Sequence, residues 1–194
     1  MWDELKRLTT TMGIVLPDNA PTLFAQYYSF LVEQNKYVNL TRITETREVM
    51  IKHFLDSLAL LVKLPLVREK VLDIGSGAGL PGIPLKVACP GLSLTLLDSS
   101  QKRVDFLQAV TSHLALGMVQ AHHGRAEDYG KQSNFRDKYE VVVSRAVAQL
   151  AVLTELCLPF VAVGGFFVAY KGPDALEGML IGADAFTTAE GVKI

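Results

Sequence analysis

Three glycines alternate at positions 75, 77 and 79, behind a short apolar run and an aspartate, Asp73. The whole segment, Val71–Gly82, reads VLDIGSGAGLPG. Val71, Leu72 and Ile74 predict a buried strand, and Ile83–Ala88 is compatible with a helix. Strand, glycine turn and helix make the βα unit that holds a nucleotide-like ligand. Glycine reaches positive φ and lets a ligand approach the backbone closely, and the helix start behind it offers unpaired N–H groups. Asp98 ends the next apolar run, about 20 residues after the loop, where an acid hydrogen-bonds ribose hydroxyls. Its rival role is to cap the following helix, with Ser99 and Ser100 as competitors. Arg145 and Lys171 end two further apolar runs, and Lys102 and Arg103 follow Asp98. Cations gathered in this way suit phosphates or a carboxylate. His53 and Asp56 are three apart and share a helix face, either as a ligand-facing pair or as an ion pair on a solvated surface.

The elements that position these groups follow from periodicity. Trp2, Leu5, Leu8 and Met12 have helical spacing, closed by Gly13. Asp18 or Asn19 caps a second helix with the stripe Leu23, Phe24, Tyr27, Phe30 and Leu31, which predicts core rather than a base-stacking platform. Asn39–Thr41 is turn-like. Thr44 or Thr46 caps a helix to about Val62 whose buried face is Met50, Phe54, Leu58 and Leu61, leaving Lys52, His53, Asp56 and Ser57 off it. From Lys70 the pattern becomes strand–helix alternation: strands at Lys70–Ile74, Leu92–Leu97, Met118–His122, Val141–Val143 and Gly165–Tyr170, with helices at 100–116 and Leu150–Phe160 between them. This predicts an α/β fold with a doubly wound, mostly parallel sheet. Residues 1–64 form an N-terminal helical extension and 65–194 the core, as one compact unit. Right-handed crossovers bring all strand C-terminal ends to one edge, where the residues named above would meet.

The glycine spacing separates two ligand classes. The dinucleotide fingerprint G-x-G-x-x-G has its third glycine one place later, where this chain has Leu80. The spacing D-x-G-x-G-x-G resembles the first motif of class I S-adenosylmethionine-dependent methyltransferases. Composition adds its own bounds. The chain has 194 residues, 49% hydrophobic and 20% charged, with net charge −1. This is globular composition, and any RNA would have to be met by local positive charge. The cysteines, Cys89 and Cys157, lack Cys-x-x-Cys spacing, so we expect buried thiols and no metal site. With no signal-peptide core and no apolar run of the ~18 residues a bilayer needs, we expect a cytoplasmic protein and no membrane partner.

Taken together, NLTRIT at 39–44, KHFLDSL at 52–58, LDIGSGAGLPGIPL at 72–85, LTLLDSSQKRVDFL at 94–107, GRAED at 124–128, VVSRAVAQL at 142–150 and AYKG at 169–172 resemble the bacterial 16S ribosomal RNA guanine-N7 methyltransferases, the RsmG or glucose-inhibited division protein B family. The resemblance implies S-adenosylmethionine as cofactor. It implies cofactor contacts at Gly75, Leu80, Ala126, Glu127 and Arg145, to which the motif adds Asp73, Ser76, Gly77, Gly79 and Asp98. It implies that His53, Ser57, Lys102, Arg103, Arg145 and Lys171 face 16S RNA or the small subunit, with the enzyme acting as a monomer. Arg145 is expected as a positioning group that grips either a phosphate or the cofactor carboxylate, and no residue is expected as a general base. Class I methyltransferases finish with an antiparallel strand pair. With about twenty residues after Gly172, we expect a helix at Ala175–Ala183 and a truncated strand pair. The competing readings are a small-molecule methyltransferase and a non-catalytic ribosome- or RNA-binding module.

Overall fold

The computed structural model describes residues 2–145 and 149–170. Five strands form one parallel sheet in the order β3-β2-β1-β4-β5. They are β1 (Lys70–Ile74), β2 (Ser93–Asp98), β3 (Val119–His123), β4 (Tyr139–Arg145) and β5 (Val161–Tyr170). The predicted doubly wound sheet is present, and the chain reverses direction across it between β1 and β4. β1 is buried from Val71 to Ile74, Asp73 included, because both its faces are covered, as in a central parallel strand. Between the strands lie α6 (Gly82–Ala88), α7 (Gln101–His113), the short α8 (Ala126–Tyr129) and α9 (Leu150–Cys157). The expected helix at Ala175–Ala183, the closing strand pair and Lys171 lie outside the described residues.

The N-terminal third packs onto one face of the sheet. α1 (Trp2–Thr11) and α2 (Ala20–Val38) lead into a helical stretch over 46–63. One continuous cluster of buried side chains runs from Leu5, Phe24, Tyr27 and Leu31 through Met50, Phe54 and Leu58 to Val71, Leu94 and Val143. The Phe24–Tyr27–Leu31 stripe is core, as its spacing predicts. A smaller cluster on the other sheet face joins Leu72, Ile74, Leu97 and Val142 to Phe135, Tyr139, Cys157 and Phe160. Burial pushes the Cys157 thiol up to about 12 and the Cys89 thiol up to about 11, so both are neutral thiols at physiological pH.

The third helical stretch departs from expectation. Its cap is Glu45, whose carboxylate accepts the Glu48 N–H at 2.8 Å, rather than Thr44 or Thr46. After α3 (Thr46–Val49) it widens into a π-helical turn at Met50–Leu55 before α4 (Asp56–Leu58) and α5 (Leu60–Lys63). The additional residue per turn rotates the downstream residues by about 100° relative to a regular helix. Met50, Phe54 and Leu58 are buried, but so are His53 and Ser57, polar residues expected off that face although they stand three and seven residues after Met50, at helical spacing from it.

Lys86 is 2% exposed, and its ammonium donates to the Pro90 and Leu92 carbonyls, each at 2.6 Å. It closes the turn from α6 into β2. Replacing it with Met should strand both carbonyls and cost about 2 kcal/mol, measured by urea denaturation of Lys86→Met against the parent.

Candidate cofactor and acceptor cleft

The glycine loop leaves β1 and turns sharply under α6. Gly75, Gly77 and Gly79 all hold positive φ, at 71°, 57° and 87°, the region a side chain disfavours. A Cβ at Gly79 would also collide with Ile83 Cδ1. The loop is tied to both neighbouring strands. Gly75 and Ser76 donate to the Leu97 carbonyl at 2.8 and 3.2 Å, and the buried Ser144 hydroxyl donates to the Ile74 carbonyl at 2.8 Å.

Of the cap candidates Ser100 takes the N-cap position of α7, and the Asp98 carboxylate bridges two connections. Its Oδ1 accepts the Ser100 N–H at 2.9 Å and so steadies the entry to α7. Its Oδ2 accepts the Gly77 N–H at 2.8 Å and lies 3.7 Å from Arg103. The carboxylate is 2% exposed yet lines the cleft. Each carboxylate oxygen has a further lone pair, so Asp98 can still accept from ribose hydroxyls.

Asp73 requires a correction. The motif predicts a cofactor contact, but the side chain is fully buried and is not among the cleft-lining groups. Oδ2 accepts the Gly82 N–H at 2.8 Å, while Oδ1 has no partner among the described residues. The carboxylate braces the start of α6 from below. Burial pushes Asp73 up to about 7, against the opposing pull of the Gly82 N–H and Arg145.

The cleft measures about 390 Å³. One wall is Gly75, Ser76, Gly77, Ala78, Leu80, Asp98 and Ser99; the other is Leu40, Thr41, His53, Arg103 and Arg145. Of the predicted cofactor residues, Gly79 shapes the turn without lining the cleft. Ala126 and Glu127 sit on α8 beyond its lining, near its Asp98 end, where Gly124 donates to the Asp98 carbonyl at 3.0 Å. Lys102 is exposed on α7 and does not line the cleft. Ser57, expected to face RNA, is fully buried, and its hydroxyl donates to the His53 carbonyl at 2.5 Å. Ser57 stands three residues after Phe54 and seven after Met50, so it shares their buried side of the helix.

Arg145 comes off the end of β4 into the opening of this π turn. Its Nη1 donates to Asp56 Oδ2 at 3.1 Å and approaches the Lys52 and His53 carbonyls at 3.5 Å. Asp56 therefore pairs across the cleft with Arg145 rather than along its own helix with His53. His53 Nε2 lies 2.8 Å from Thr41 Oγ1. Burial, with Arg145 beside it, lowers the His53 pKa and keeps the ring neutral.

Leu40, Thr41, Ala78 and Ser99 also line the cleft and are absent from the sequence-based site. Thr41 is held there by Asn35. The Asn35 Oδ1 accepts the Leu40 and Thr41 N–H groups at 2.7 and 2.8 Å, and its Nδ2 donates to the Thr41 carbonyl at 2.9 Å. The turn-like Asn39–Thr41 marks a loop, and Asn39 does take φ 52° there. Its place over a glycine loop more than thirty residues away is long-range information that spacing does not carry.

The buried acid carries a definite pH dependence. Asp73 titrates near 7 when folded and near 3.8 as an unperturbed carboxyl. Between those values the folded state binds the extra proton, so this group removes stability as pH rises from about 4 to 7. Asp73→Asn retains an acceptor for Gly82 and has no charge to bury. Urea denaturation at pH 5 and pH 8 should show the parent losing stability relative to the Asn variant, and equal slopes for the two proteins would remove the effect.

The family model for GidB, rRNA small subunit methyltransferase G, matches residues 21–193. A ribosomal RNA small subunit methyltransferase G from Alkaliphilus oremlandii is 50% identical over 176 residues, covering 90% of this chain and 74% of that protein. One of the same name from Pelotomaculum thermopropionicum is 47% identical over 184 residues, covering 94% and 77%. Among solved structures, a SAM-dependent methyltransferase from Aquifex aeolicus superposes with TM-score 0.52 at 20% identity, over 71% of this chain and 82% of that one. Precorrin-6y C5,15-methyltransferase from Geobacter metallireducens gives 0.51 at 15% identity, over 75% and 73%. These two likenesses bear on the fold, and the sheet order found here is that of a class I methyltransferase. With its glycine loop and cleft in place, and with the family model spanning most of its length, the chain belongs to the GidB family of rRNA small subunit methyltransferases G.

Proposed function

We propose that this chain transfers the methyl group of S-adenosylmethionine to N7 of a guanine in 16S ribosomal RNA, guanine 527 in the usual bacterial numbering. One observation carries the reading. In a member of the small-subunit rRNA methyltransferase family, the D-x-G-x-G-x-G loop, Asp98 and the Thr41–His53–Arg145 wall converge on a single cleft. The residues present suit the cofactor. The three positive-φ glycines leave a backbone surface free of side chains, and the Asp98 carboxylate faces the same space with acceptor capacity to spare. When bound, S-adenosylmethionine supplies an electrophilic methyl on a sulfonium.

Gly75, Ser76, Gly77, Leu80 and Asp98 would hold the cofactor, with Gly79 shaping the turn and Ala126 and Glu127 at the adenine end. The acceptor wall is Thr41, His53 and Arg145. Guanine N7 has an in-plane lone pair and bears no proton, so no base has to remove one. What the wall supplies is alignment, which alone can be worth roughly 7–11 kcal/mol. N7 lies on the major-groove edge, hard to reach in an A-form helix, so the target guanine is unstacked or in a loop. Arg103 and Lys102 on the rim would meet phosphates. We read residues 1–64 as the extension that walls the acceptor side and 65–194 as the methyltransferase core, working as a monomer in the cytoplasm. No described helix is long and apolar enough to cross a membrane.

Radiolabelled S-adenosylmethionine with small subunits from a strain lacking the modification should place label in one guanine cleavable by N7-specific chemistry. Label in a metabolite instead, or none anywhere, would overturn the reading. Arg145→Ala should lower the transfer rate about 100-fold, the scale of a small misplacement of reacting groups, while far-ultraviolet circular dichroism stays that of the parent.

A further inference from the structure

We propose that Tyr27, on α2 of the N-terminal extension, is a positioning residue for the cofactor. Its phenol holds the Ala78 carbonyl and thereby fixes the glycine loop on which S-adenosylmethionine rests. This inference rests on the cofactor reading given above.

Tyr27 lies in an aromatic stripe where a phenylalanine would bury equally well, and it is fully buried. A hydroxyl in such a place costs free energy unless it is hydrogen-bonded. It donates to the Ala78 carbonyl, 51 residues away in sequence. Burial raises the phenol's pKa well above its ordinary value, so it stays a donor throughout the physiological range. The carbonyl it holds is in the most permissive stretch of backbone in the chain. Gly77 and Gly79 flank Ala78, both at positive φ, and glycine restrains φ and ψ least of all residues. The loop's own bonds secure its two ends. Gly77 donates to Asp98 at 2.8 Å, and Gly79 and Leu80 donate back to the Ser76 carbonyl at 2.7 and 3.0 Å. Tyr27 holds its middle, from outside the sheet. The ring is itself fixed, stacked on Phe54 at 5.1 Å between centroids and 21° between planes. A Cβ at Gly79 would come within 3.0 Å of the phenol oxygen, so the space beneath the loop is filled.

The test is calorimetric titration of Tyr27→Phe with S-adenosylhomocysteine. Kd should weaken about tenfold, the size expected when a buried carbonyl loses its partner. In steady state most of the loss should fall on KM for the cofactor rather than on kcat. Phe24→Leu is the control for general loosening, because Phe24 is equally buried on the same helix and packs against Phe54. It should lower the melting temperature and leave the cofactor Kd within twofold of the parent. A Tyr27→Phe Kd within twofold of the parent would overturn the proposal, as would Phe24→Leu weakening the cofactor equally. If the parent binds S-adenosylhomocysteine but labels no RNA, the proposed acceptor falls and the Tyr27 result still decides this inference. If the parent does not bind it, the cofactor reading and this inference both fall.

Discussion

One carboxylate ties the cleft together. Asp98 ends β2 and accepts N–H groups from two different connections, the glycine loop after β1 and the entry to α7. Parallel strands deliver their following loops to the same edge, but nothing in that topology fixes the loops relative to one another. A buried acceptor with two oxygens does so, and charge-assisted bonds of this kind are stronger than neutral ones. The remaining lone pairs face the cleft, so the group that organises the loops is also available to a ligand. Asp73, on the neighbouring strand, has a different role. It is buried, satisfied on one oxygen only among the described residues, and destabilised as an anion by its burial. Two aspartates at comparable positions on adjacent strands thus differ by environment alone.

The second organising feature is the dependence of the site on the N-terminal helices. Leu40 and Thr41 come from the loop after α2, His53 from the π turn, and the bond to Ala78 from the middle of α2. Arg145 reaches back from β4 to the carbonyls that the π turn presents. The extension therefore contributes one wall of the cleft as well as a support beneath the other. Loosening it would be felt in the site as much as in the core.

The sheet is legible in the sequence because β1, β2 and β4 hold short apolar runs ended by a polar or flexible group, while the edge strand β3 (VQAHH) is only weakly marked. Asp98, Ser144 and Gly75 mark three of those ends within a residue or two. The glycine loop is equally legible, since spacing alone specifies where positive φ is needed. The helical stretch at 46–63 is not. Met50, Phe54 and Leu58 read as its buried face and are buried, but their polar type makes His53 and Ser57 read as outside although both stand at helical spacing from Met50 and are buried. No property of MIKHFL by itself announces the π turn. Asp73 is misread for a related reason. Motif position says that an acid belongs there, but whether its carboxylate faces the ligand or the helix behind it depends on packing. Thr41 and Tyr27 cannot be found from spacing because their roles consist of contacts with residues 12 and 51 positions away.

The neutrality of His53 has a consequence for where charge travels. In the proposed transfer no net charge is created. A positive charge that arrives on sulfur departs on the purine, so the acceptor base becomes a cation while it is still enclosed. A wall bearing a protonated imidazole would oppose that relocation at close range and in a medium that screens poorly. In this cleft the guanidinium groups of Arg145 and Arg103 are already matched by Asp56 and Asp98, and the ring between them carries no charge. The enclosure is thus close to electrically level along the path from donor to acceptor. Both carboxylates nearest that path, Asp56 beside the cleft and Asp98 in its lining, already face a guanidinium group. In the proposed transfer, departure of the modified RNA would then depend on phosphate contacts at the rim, which salt weakens, more than on the base itself.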